Sequence, residues 1–393
     1  MSHVERNPLR DFPAQPLPPW RRAVLKVGSS LLAGFADGDG GLDAHHARDL
    51  AHFVQAARAA GREVVLVSSG AVAAGRARVA SAGEGLVLRQ ALAALGQTQL
   101  IGFWQALLSV PVAQVLLSHD DLRDRRRYLN ARATLRELLR LGALPLINEN
   151  DTVAVDELKL GDNDNLAAIV AALVDADLLL IASDIDALYS ADPRRDPAAR
   201  PVTRVETLTP EVLAMAGGSG SAVGTGGMRT KLEAAFKAAA AGIPTALFSG
   251  RDEATVQALG EGRLHGTLIR APGSRMQARK VWLRHAPPAG RIRVDDGAAR
   301  ALAGGRASLL PGGIVGATGE FRRGDLVDIE DTAGCLVARG LSQYGSAEVM
   351  RLAGRHSREI DAVLGYSYGA EVVHRDDLAT LGDSVAAKEA KPV

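Results

Sequence analysis

Two acid-amide clusters hold the side chains best suited to chemistry in this 393-residue chain. Residues 148–151, Asn-Glu-Asn-Asp, follow the apolar run 143–147, which has the pattern of a buried strand. Residues 162–165, Asp-Asn-Asp-Asn, lead into the helix-like segment 166–174. Because ligands bind at the carboxyl edge of open α/β sheets, the two clusters together predict a site there. Either cluster alone could instead be a polar turn in which Asp and Asn cap a helix.

Two lysines beside glycine-rich turns predict contact with an anion. Lys26 lies in the apolar run 23–27 and is followed at once by Gly-Ser-Ser, a turn whose N–H groups suit phosphate. Lys231 ends the run 224–231, Gly-Thr-Gly-Gly-Met-Arg-Thr-Lys, which opens a predicted helix and so attracts anions. Alternatively, Lys26 could face solvent on an edge strand, and the glycine run could be a surface loop.

Two further strand ends carry weaker signals. Residues 67–75 have glycines at the spacing of a P-loop, but Arg76 and Ala77 replace the required lysine and hydroxyl residue, which excludes a Walker A site. Ser183 and Asp184 follow a predicted strand and could contact a nucleotide. Small residues needed for packing, or a capped turn, would explain these two segments equally well.

Together these features predict a phosphoryl-transfer site, in which catalysis rests on positioning and electrostatics. A lysine about 4 Å from the transferring charge gains roughly 4 kcal/mol at an effective dielectric constant near 20. A carboxylate acceptor needs no general base, because its pKa of about 4.3 for Glu leaves it ionised at neutral pH. The remaining obstacle is repulsion between two anions, which paired lysines held by a central aspartate would relieve.

The composition argues against several classes of protein. The net charge of +1 indicates no nucleic-acid or acidic-membrane partner. The single cysteine, Cys335, excludes an internal disulfide and a CxxC metal site, and it suits a cytoplasmic protein. We expect no signal peptide, because the N-terminus has no apolar core, and no membrane span, because no apolar run reaches about 18 residues. The histidines have no metal-ligand spacing, so no metal-ligating residues are predicted.

The order of predicted elements over residues 21–271 defines the fold class. Strands and helices alternate, which predicts a three-layer αβα sandwich with a mainly parallel central sheet. The predicted strands are residues 23–27, 63–67, 111–117, 143–147, 177–182 and 244–248. The predicted helices are residues 43–60 (with Asp43 as the cap), 85–108, 122–141, 166–174, 229–241 and 253–259.

The pattern changes to short, glycine-punctuated strands near residue 290, which predicts a small, mainly β domain. Strands are expected at residues 291–294, 324–329, 335–338 and 371–373. We therefore predict a flexible lead-in over 1–20, an α/β domain over 21–273, a linker over 274–289, the β domain over 290–373 and a polar tail over 374–393.

Residues 21–271 resemble the amino-acid kinase superfamily. The motifs that carry the resemblance, specific only in combination, are residues 26–30, 67–75, 103–104, 128–132, 147–151, 161–165 and 224–231. The segments 308–314, 321–325 and 360–366 look like those of a PUA domain, so the resemblance covers nearly all of the chain.

The resemblance implies ATP-dependent phosphorylation of the γ-carboxylate of L-glutamate, giving L-glutamyl 5-phosphate as the first step of proline biosynthesis. It further implies a requirement for Mg²⁺, feedback inhibition by proline, and a homo-oligomer that is a dimer or a tetramer. A hand-off of the product to glutamyl phosphate reductase is also expected.

Roles for individual residues follow from the same resemblance. Lys26, Lys231 and Asp164 would be catalytic, with Asp164 organising the two lysines. Ser69, Asp151 and Asn163 would bind glutamate, with Asn148 and Asp162 as lesser candidates. ATP would be bound by Lys26, Ser183, Asp184, Thr225, Gly226, Gly227, Met228, Arg229, Thr230 and Lys231.

Two alternatives remain open at this stage. A kinase of the same fold could use another acceptor, such as N-acetylglutamate, aspartate or UMP. A free α-amine needs an acidic partner such as Asp151, whereas an acetylated amine does not. The chain could instead bind RNA through its PUA-like domain, where basic residues lie among acids: Arg291, Arg293, Arg322 and Arg323.

Overall fold

The computed structural model describes most of the chain. The described residues are 13–33, 41–79, 83, 85–153, 163–193, 196, 198–207, 209–216, 227–273, 288–305 and 307–380. The chain divides near residue 275 into two compact units. An eight-stranded sheet forms the larger unit, and a five-stranded sheet forms the smaller one. Within the described residues, no helix is both long and apolar enough to span a membrane.

The sheet of the larger unit is mainly parallel, as the sequence predicts. Its strands are β1 (Arg22–Val27), β2 (Glu63–Ser68), β3 (Val112–Leu117), β4 (Leu144–Glu149), β5 (Leu178–Ser183), β6 (Arg204–Val205), β7 (Thr245–Ser249) and β8 (Gly266–Ile269). They lie in the order β3-β4-β2-β1-β5-β7-β8-β6. Every pairing is parallel except that of β7 with β8.

Helices surround this sheet. They are α1 (His45–Ala59), α2 (Ala71–Arg76), α3 (Leu86–Leu107), α4 (His119–Arg123), α5 (Arg125–Arg140), α6 (Asn163–Leu173), α7 (Pro210–Met215), α8 (Met228–Ala240) and α9 (Glu253–Gly260). Side chains alternate along β1, and Ala23, Leu25 and Val27 face the core that contains α1, α3 and α9. Lys26 therefore points to the opposite face, where α6 and α8 pack together.

The smaller unit is rich in short strands, as expected. Its strands are β9 (Gly290–Val294), β10 (Ile314–Thr318), β11 (Leu326–Glu330), β12 (Leu336–Leu341) and β13 (Leu378–Thr380), in the order β10-β9-β11-β12-β13. Its helices are α10 (Asp296–Ala303), α11 (Ser346–Leu352) and α12 (Ile360–Leu364). A buried core around Ile292, Ile329 and Tyr344 holds the unit together.

Some predicted boundaries are wrong, for identifiable reasons. The predicted strand 371–373 does not form. Val372 and Val373 are buried in the core of the smaller unit, which explains why this segment is apolar. Val373 makes an isolated β-bridge with Leu309 and belongs to no strand. The last strand is β13 instead. Strands β6, β8 and β10 were not predicted, since β6 has only two residues and the others contain glycine.

Helix starts also differ from the sequence pattern. The predicted helix 122–141 is two helices, because a capping box at Ser118 begins α4 and the extended backbone of Asp124 ends it. Helix α1 begins at His45, and the Asp43 carboxylate accepts a hydrogen bond from the His45 N–H (2.8 Å) without being the cap itself. In the predicted lead-in, Gln15–Pro16 pairs with Arg263–Leu264.

Helices α2 and α3 cross at a pair of glycines. A Cβ atom at Gly75 would lie 1.9 Å from the Leu92 carbonyl oxygen, and one at Gly96 would lie 1.8 Å from the Ala71 carbonyl oxygen. Gly75 is therefore explained by packing rather than by a ligand. The crossing sets the position of α3 beside the end of β2, where the Trp104 Nε1 donates to the Ser68 Oγ (2.9 Å).

We expect Gly75→Ala to lower the free energy of unfolding by about 1–3 kcal/mol, because the added methyl group forces the two helices apart. Urea denaturation measures the change. Gly102→Ala is the matched control on α3, since no atom lies within 4 Å of its added Cβ. An equal loss in both variants would contradict the packing explanation.

Candidate active site

Three buried charged side chains meet on the α6–α8 face of the sheet. Lys26 is 5% exposed, Asp164 is 0% exposed and Lys231 is 6% exposed. The Asp164 Oδ1 lies 2.6 Å from the Lys26 Nζ, and its Oδ2 lies 3.3 Å from the Lys231 Nζ. Strand β1 is central, between β2 and β5, so the edge-strand alternative for Lys26 is wrong. The two lysines therefore converge on one carboxylate.

The starts of two helices bring these groups together. Asp164 lies in the first turn of α6, and Lys231 lies in the first turn of α8. The Thr230 hydroxyl has one proton to donate, and its Oγ1 lies 2.8 Å from the Gly227 carbonyl oxygen and 3.2 Å from the Asp164 Oδ2. Since the amino end of a helix carries a partial positive charge, both helices add to the field of the lysines.

The charges of this triad favour an anionic ligand. Two ammonium groups and one carboxylate have a formal sum of +1, and all three side chains are almost fully removed from water. Burying charge is costly unless opposite charges and hydrogen bonds compensate it. An anion that enters beside the triad would bring the compensating charge.

A chain of neutral polar side chains lies at the ends of β2 and β4 and at the start of α6. The Asn163 Nδ2 donates to the Ser69 Oγ (2.6 Å) and to the Asn148 Oδ1 (3.0 Å). The Asn148 Nδ2 in turn donates to the Oε1 of Gln97 on α3 (3.0 Å). The Ser69 N–H is anchored to the carbonyl of Val27 at the end of β1 (3.2 Å). The structure thus joins residues from β2, β4 and α6 at one edge of the sheet.

Asp151 lies two residues beyond β4 at the same edge. Burial raises the pKa of the Asp151 carboxyl above its ordinary value, and the nearby positive charge of Arg89 offsets part of that rise. Within the described residues, no hydrogen bond joins Asp151 to Ser69 or Asn163. Its predicted role in binding glutamate therefore stays a prediction.

The residues predicted to bind ATP divide into three groups. Ser183 ends β5, and its hydroxyl donates to Asp184 (3.2 Å) and accepts from the Ile185 N–H (3.3 Å), which is the pattern of a capped turn. Arg229 pairs with Glu233 on the exposed side of α8 (3.1 Å).

The third group of residues predicted to bind ATP lies at or just before the start of α8, and the structure describes only part of it. Met228 packs against the apolar cluster that contains Leu188 and Leu232. Gly227 is the N-cap of α8. Thr225 and Gly226 lie outside the described residues, as does Asp162, the lesser candidate for binding glutamate.

Gln97 is the polar residue of this region that sequence reasoning missed. It is 7% exposed and lies on α3 among the buried residues Leu92, Ala93 and Leu100. A polar residue on the apolar stripe of a helix is a detectable signal, because a buried amide requires hydrogen-bond partners. The sequence gives no indication of which partner, however, since Asn148 lies on a different element.

Comparison with known proteins identifies the family of the chain. The sequence model of the amino acid kinase family matches residues 21–249, and that of the PUA domain matches residues 290–364. The chain belongs to the amino acid kinase family. The resemblance that the motifs indicate is therefore confirmed.

Individual relatives are more specific. The chain is 70% identical over 366 residues to the glutamate 5-kinase of Xanthomonas euvesicatoria pv. vesicatoria, covering 91% of this chain and 100% of the relative. It is 64% identical over 378 residues to the glutamate 5-kinase of Xylella fastidiosa strain M12, covering 94% and 98%. The solved UMP kinase of Bacillus anthracis aligns at 15% identity with a TM-score of 0.46, covering 65% of this chain and 98% of that one.

We expect Asp164→Asn to lower the free energy of unfolding by about 3–5 kcal/mol, because it leaves two buried ammonium groups without their carboxylate. Urea denaturation at neutral pH measures the change. Glu233→Gln on α8 is the control, since its partner Arg229 is 73% exposed and such pairs contribute at most about 1 kcal/mol. Similar losses in the two variants would show that the triad does not stabilise the fold.

Proposed function

We propose that this protein transfers the γ-phosphoryl group of ATP to the γ-carboxylate of L-glutamate, giving L-glutamyl 5-phosphate and ADP. This is the first step of proline biosynthesis. The observation that carries the proposal is the contact of Lys26 and Lys231 with one buried carboxylate, Asp164. The high identity to relatives named glutamate 5-kinase supports the choice of acceptor.

The two lysines act by reducing repulsion between anions. A γ-carboxylate oxygen attacks the γ-phosphorus, and the bond from that phosphorus to the β,γ-bridging oxygen breaks, so that ADP leaves with the electron pair. Each ammonium group about 4 Å from the developing charge contributes roughly 4 kcal/mol at an effective dielectric constant near 20. Asp164 keeps both amines in place, and no side chain needs to remove a proton, because the acceptor is already ionised.

The acceptor pocket combines a charge with neutral hydrogen-bonding groups. Asp151 pairs with the α-ammonium group of glutamate, which N-acetylglutamate lacks. Ser69 contacts a carboxylate group of the substrate, and Asn163 contacts its ammonium group. Their mutual hydrogen bond and the link to Asn148 support this role, because they hold both groups at the edge where Lys26 emerges.

The nucleotide binds at the glycine turns. A Cβ atom at Gly28 would lie 3.7 Å from the Lys26 Nζ, so glycine keeps the space beside that amine open for a phosphate. The first turn of α8, with Gly227, Thr230 and Lys231, receives the β- and γ-phosphates. The remaining contacts with ATP come from Ser183, Asp184, Thr225, Gly226, Met228 and Arg229.

Magnesium enters as part of the nucleotide complex. Among the described residues, no three His, Cys, Asp or Glu side chains are grouped to hold a metal ion, and both Asp164 oxygens contact lysines. Mg²⁺ commonly keeps several waters and binds through substrate phosphates, so this donor set fits a metal held mainly by ATP. When bound, it neutralises charge on the β- and γ-phosphate oxygens.

The physiological setting follows from the same assignment. We place the enzyme in the cytoplasm as a dimer or tetramer, inhibited by proline and passing its product to glutamyl phosphate reductase. The supporting observation is the identity to the named relatives, together with the exposed free thiol of Cys335, which suits a reducing compartment.

A hydroxamate assay across candidate acceptors tests the proposed function. The purified protein with MgATP is incubated with L-glutamate, N-acetyl-L-glutamate or L-aspartate, and acyl phosphate is trapped with hydroxylamine. ADP release with UMP tests the nucleotide alternative. We expect glutamate to be the preferred acceptor by kcat/KM, and a higher kcat/KM for another acceptor would overturn the assignment.

The smaller unit gives specific support for a second function, RNA binding. Tyr366 and Tyr368 are 40% and 46% exposed, with ring centroids 5.2 Å apart, and the Arg323 guanidinium lies 3.7 Å from the Tyr368 ring centroid. Exposed aromatic rings beside arginine are surfaces on which bases stack. Filter binding of tRNA to the protein and to Tyr368→Ala across a salt series tests this function, and equal binding by both would reject the surface.

We expect Lys231→Ala to lower kcat by about 10²–10³-fold, the usual effect of removing one group that stabilises transition-state charge. Steady-state kinetics with glutamate and ATP measure the change. Lys237→Ala is the matched control, because Lys237 lies on the exposed side of the same helix. A kcat for Lys231→Ala within a few-fold of the control would contradict the catalytic role.

We expect the KM for glutamate to depend on the ionisation of Asp151. Because burial raises the pKa of this carboxyl, it becomes protonated at a higher pH than an ordinary aspartate. The KM for glutamate should therefore rise as the pH falls below neutrality, and the rise should begin at a higher pH than the pKa of an ordinary aspartate would give. In Asp151→Asn the KM should be high and nearly independent of pH. A selective rise in the KM for ATP would show that Asp151 belongs to the nucleotide pocket.

A further inference from the structure

One backbone group fixes the direction of every hydrogen bond in the neutral polar chain. The N–H of Glu149 donates to the side chain of Asn148 at 2.9 Å. Since an N–H only donates, the atom that receives it is the amide oxygen, Oδ1. The other end of the Asn148 amide is therefore the NH₂ group. Gln97 must present its carbonyl oxygen, Oε1, to that group, at 3.0 Å.

The orientation of the Asn148 amide in turn fixes the orientation of the Asn163 amide. The Asn148 Oδ1 contacts the side chain of Asn163 at 3.0 Å, so the Asn163 atom must be its NH₂ nitrogen. That nitrogen also donates to the Ser69 Oγ at 2.6 Å. The Ser69 oxygen accepts this hydrogen bond, and its own proton is available to a different acceptor. The Asn163 Oδ1 takes part in neither of these two hydrogen bonds.

Burial shows that Gln97 serves this chain rather than the core. It is 7% exposed, and its Nε2 has no hydrogen-bond partner among the described residues. A buried amide nitrogen without a partner destabilises a protein, so an apolar side chain would suit a purely structural position better. The Gln97 Oε1 does have a partner, because it accepts the hydrogen bond from the Asn148 Nδ2.

We propose that Gln97 is a positioning residue that holds the Asn148 amide, and through it the acceptor pocket, in the hydrogen-bond directions that the Glu149 N–H selects. This inference rests on the proposed function. With these directions, Ser69 offers a proton to a carboxylate oxygen of the amino-acid substrate, and the Asn163 Oδ1 offers a lone pair to its ammonium group. If the Asn148 amide were reversed, Ser69 would present lone pairs to the carboxylate and repel it.

Replacing Gln97 by methionine tests the inference, because methionine has a similar length but lacks the carbonyl oxygen. We expect Gln97→Met to raise the KM for glutamate about tenfold, the size of effect that one lost hydrogen bond produces. The KM for ATP should stay within about twofold of the wild type. Gln97→Glu keeps an oxygen acceptor and should restore a KM for glutamate near that of the wild type.

Trp104→Phe is the matched control on the same helix. Trp104 is fully buried, and its indole nitrogen donates to Ser68 instead of to the chain. The variant should lower the melting temperature without changing the KM for glutamate. A rise in that KM equal to the rise in Gln97→Met would show that any disturbance of α3 acts on the pocket, which would overturn the inference.

A double-mutant cycle separates positioning from general damage. In a Ser69→Ala background there is no hydroxyl to direct, so Gln97→Met acts only through Asn163 and should raise the KM for glutamate by less than the tenfold expected in the wild type. A full tenfold effect in that background would overturn the inference. If Gln97→Met does not fold, Gln97→Glu decides alone, because a large rise in its KM for glutamate contradicts the acceptor role.

The two proposals fail in different ways. A wild-type protein that forms no acyl phosphate from glutamate rejects the proposed function itself. A wild-type protein that is active on glutamate, together with an unchanged KM in Gln97→Met, rejects only the role of Gln97.

Discussion

The contact between one buried carboxylate and two buried ammonium groups is the constraint on which the larger unit depends. Lys26 comes from the central strand, Asp164 from the start of α6 and Lys231 from the start of α8. None of the three can be buried alone, because an unpaired charge in the interior is very costly. The packing of α6 and α8 on this face of the sheet therefore brings the charges together, and the charges in turn fix how both helices begin.

The strand order explains why the polar groups gather at one edge. From β1 the chain builds β2, β3 and β4 on one side, then crosses to add β5 and β7 on the other. At such a change of direction the connections leave in opposite senses, which opens a crevice at the carboxyl ends of the strands. The polar residues that follow the ends of β1, β2, β4 and β5 therefore face a common space.

The sequence predicts the central strands of the larger sheet, which are β4, β2, β1, β5 and β7. Each of them is a run of mainly apolar, buried residues. The sequence places their ends too early, since Ser68, Glu149 and Ser183 continue the ladders although they are polar. The polar ends belong to the site rather than to the core. The local sequence pattern does not predict that Lys26 is buried or which residue Gln97 contacts. Their partners, Asp164 and Asn148, lie on other elements. Val373 shows the opposite error, an apolar residue that packs in a core without joining a ladder.

The site separates two tasks by chemical type. The proposed function assigns the transferring phosphoryl group to the charged groups Lys26, Lys231 and Asp164, where the strength of the field would decide the rate. In the proposed reaction, the neutral groups of Ser69, Asn148 and Asn163 lie on the acceptor side together with one charged residue, Asp151, and their geometry decides which molecule binds. A further cation there would also attract the γ-phosphate and compete with the lysines for it. Amides whose directions are set by the Glu149 N–H can distinguish a carboxylate from an ammonium group without adding net charge. Recognition can therefore be specific while the positive field stays centred on Lys26 and Lys231.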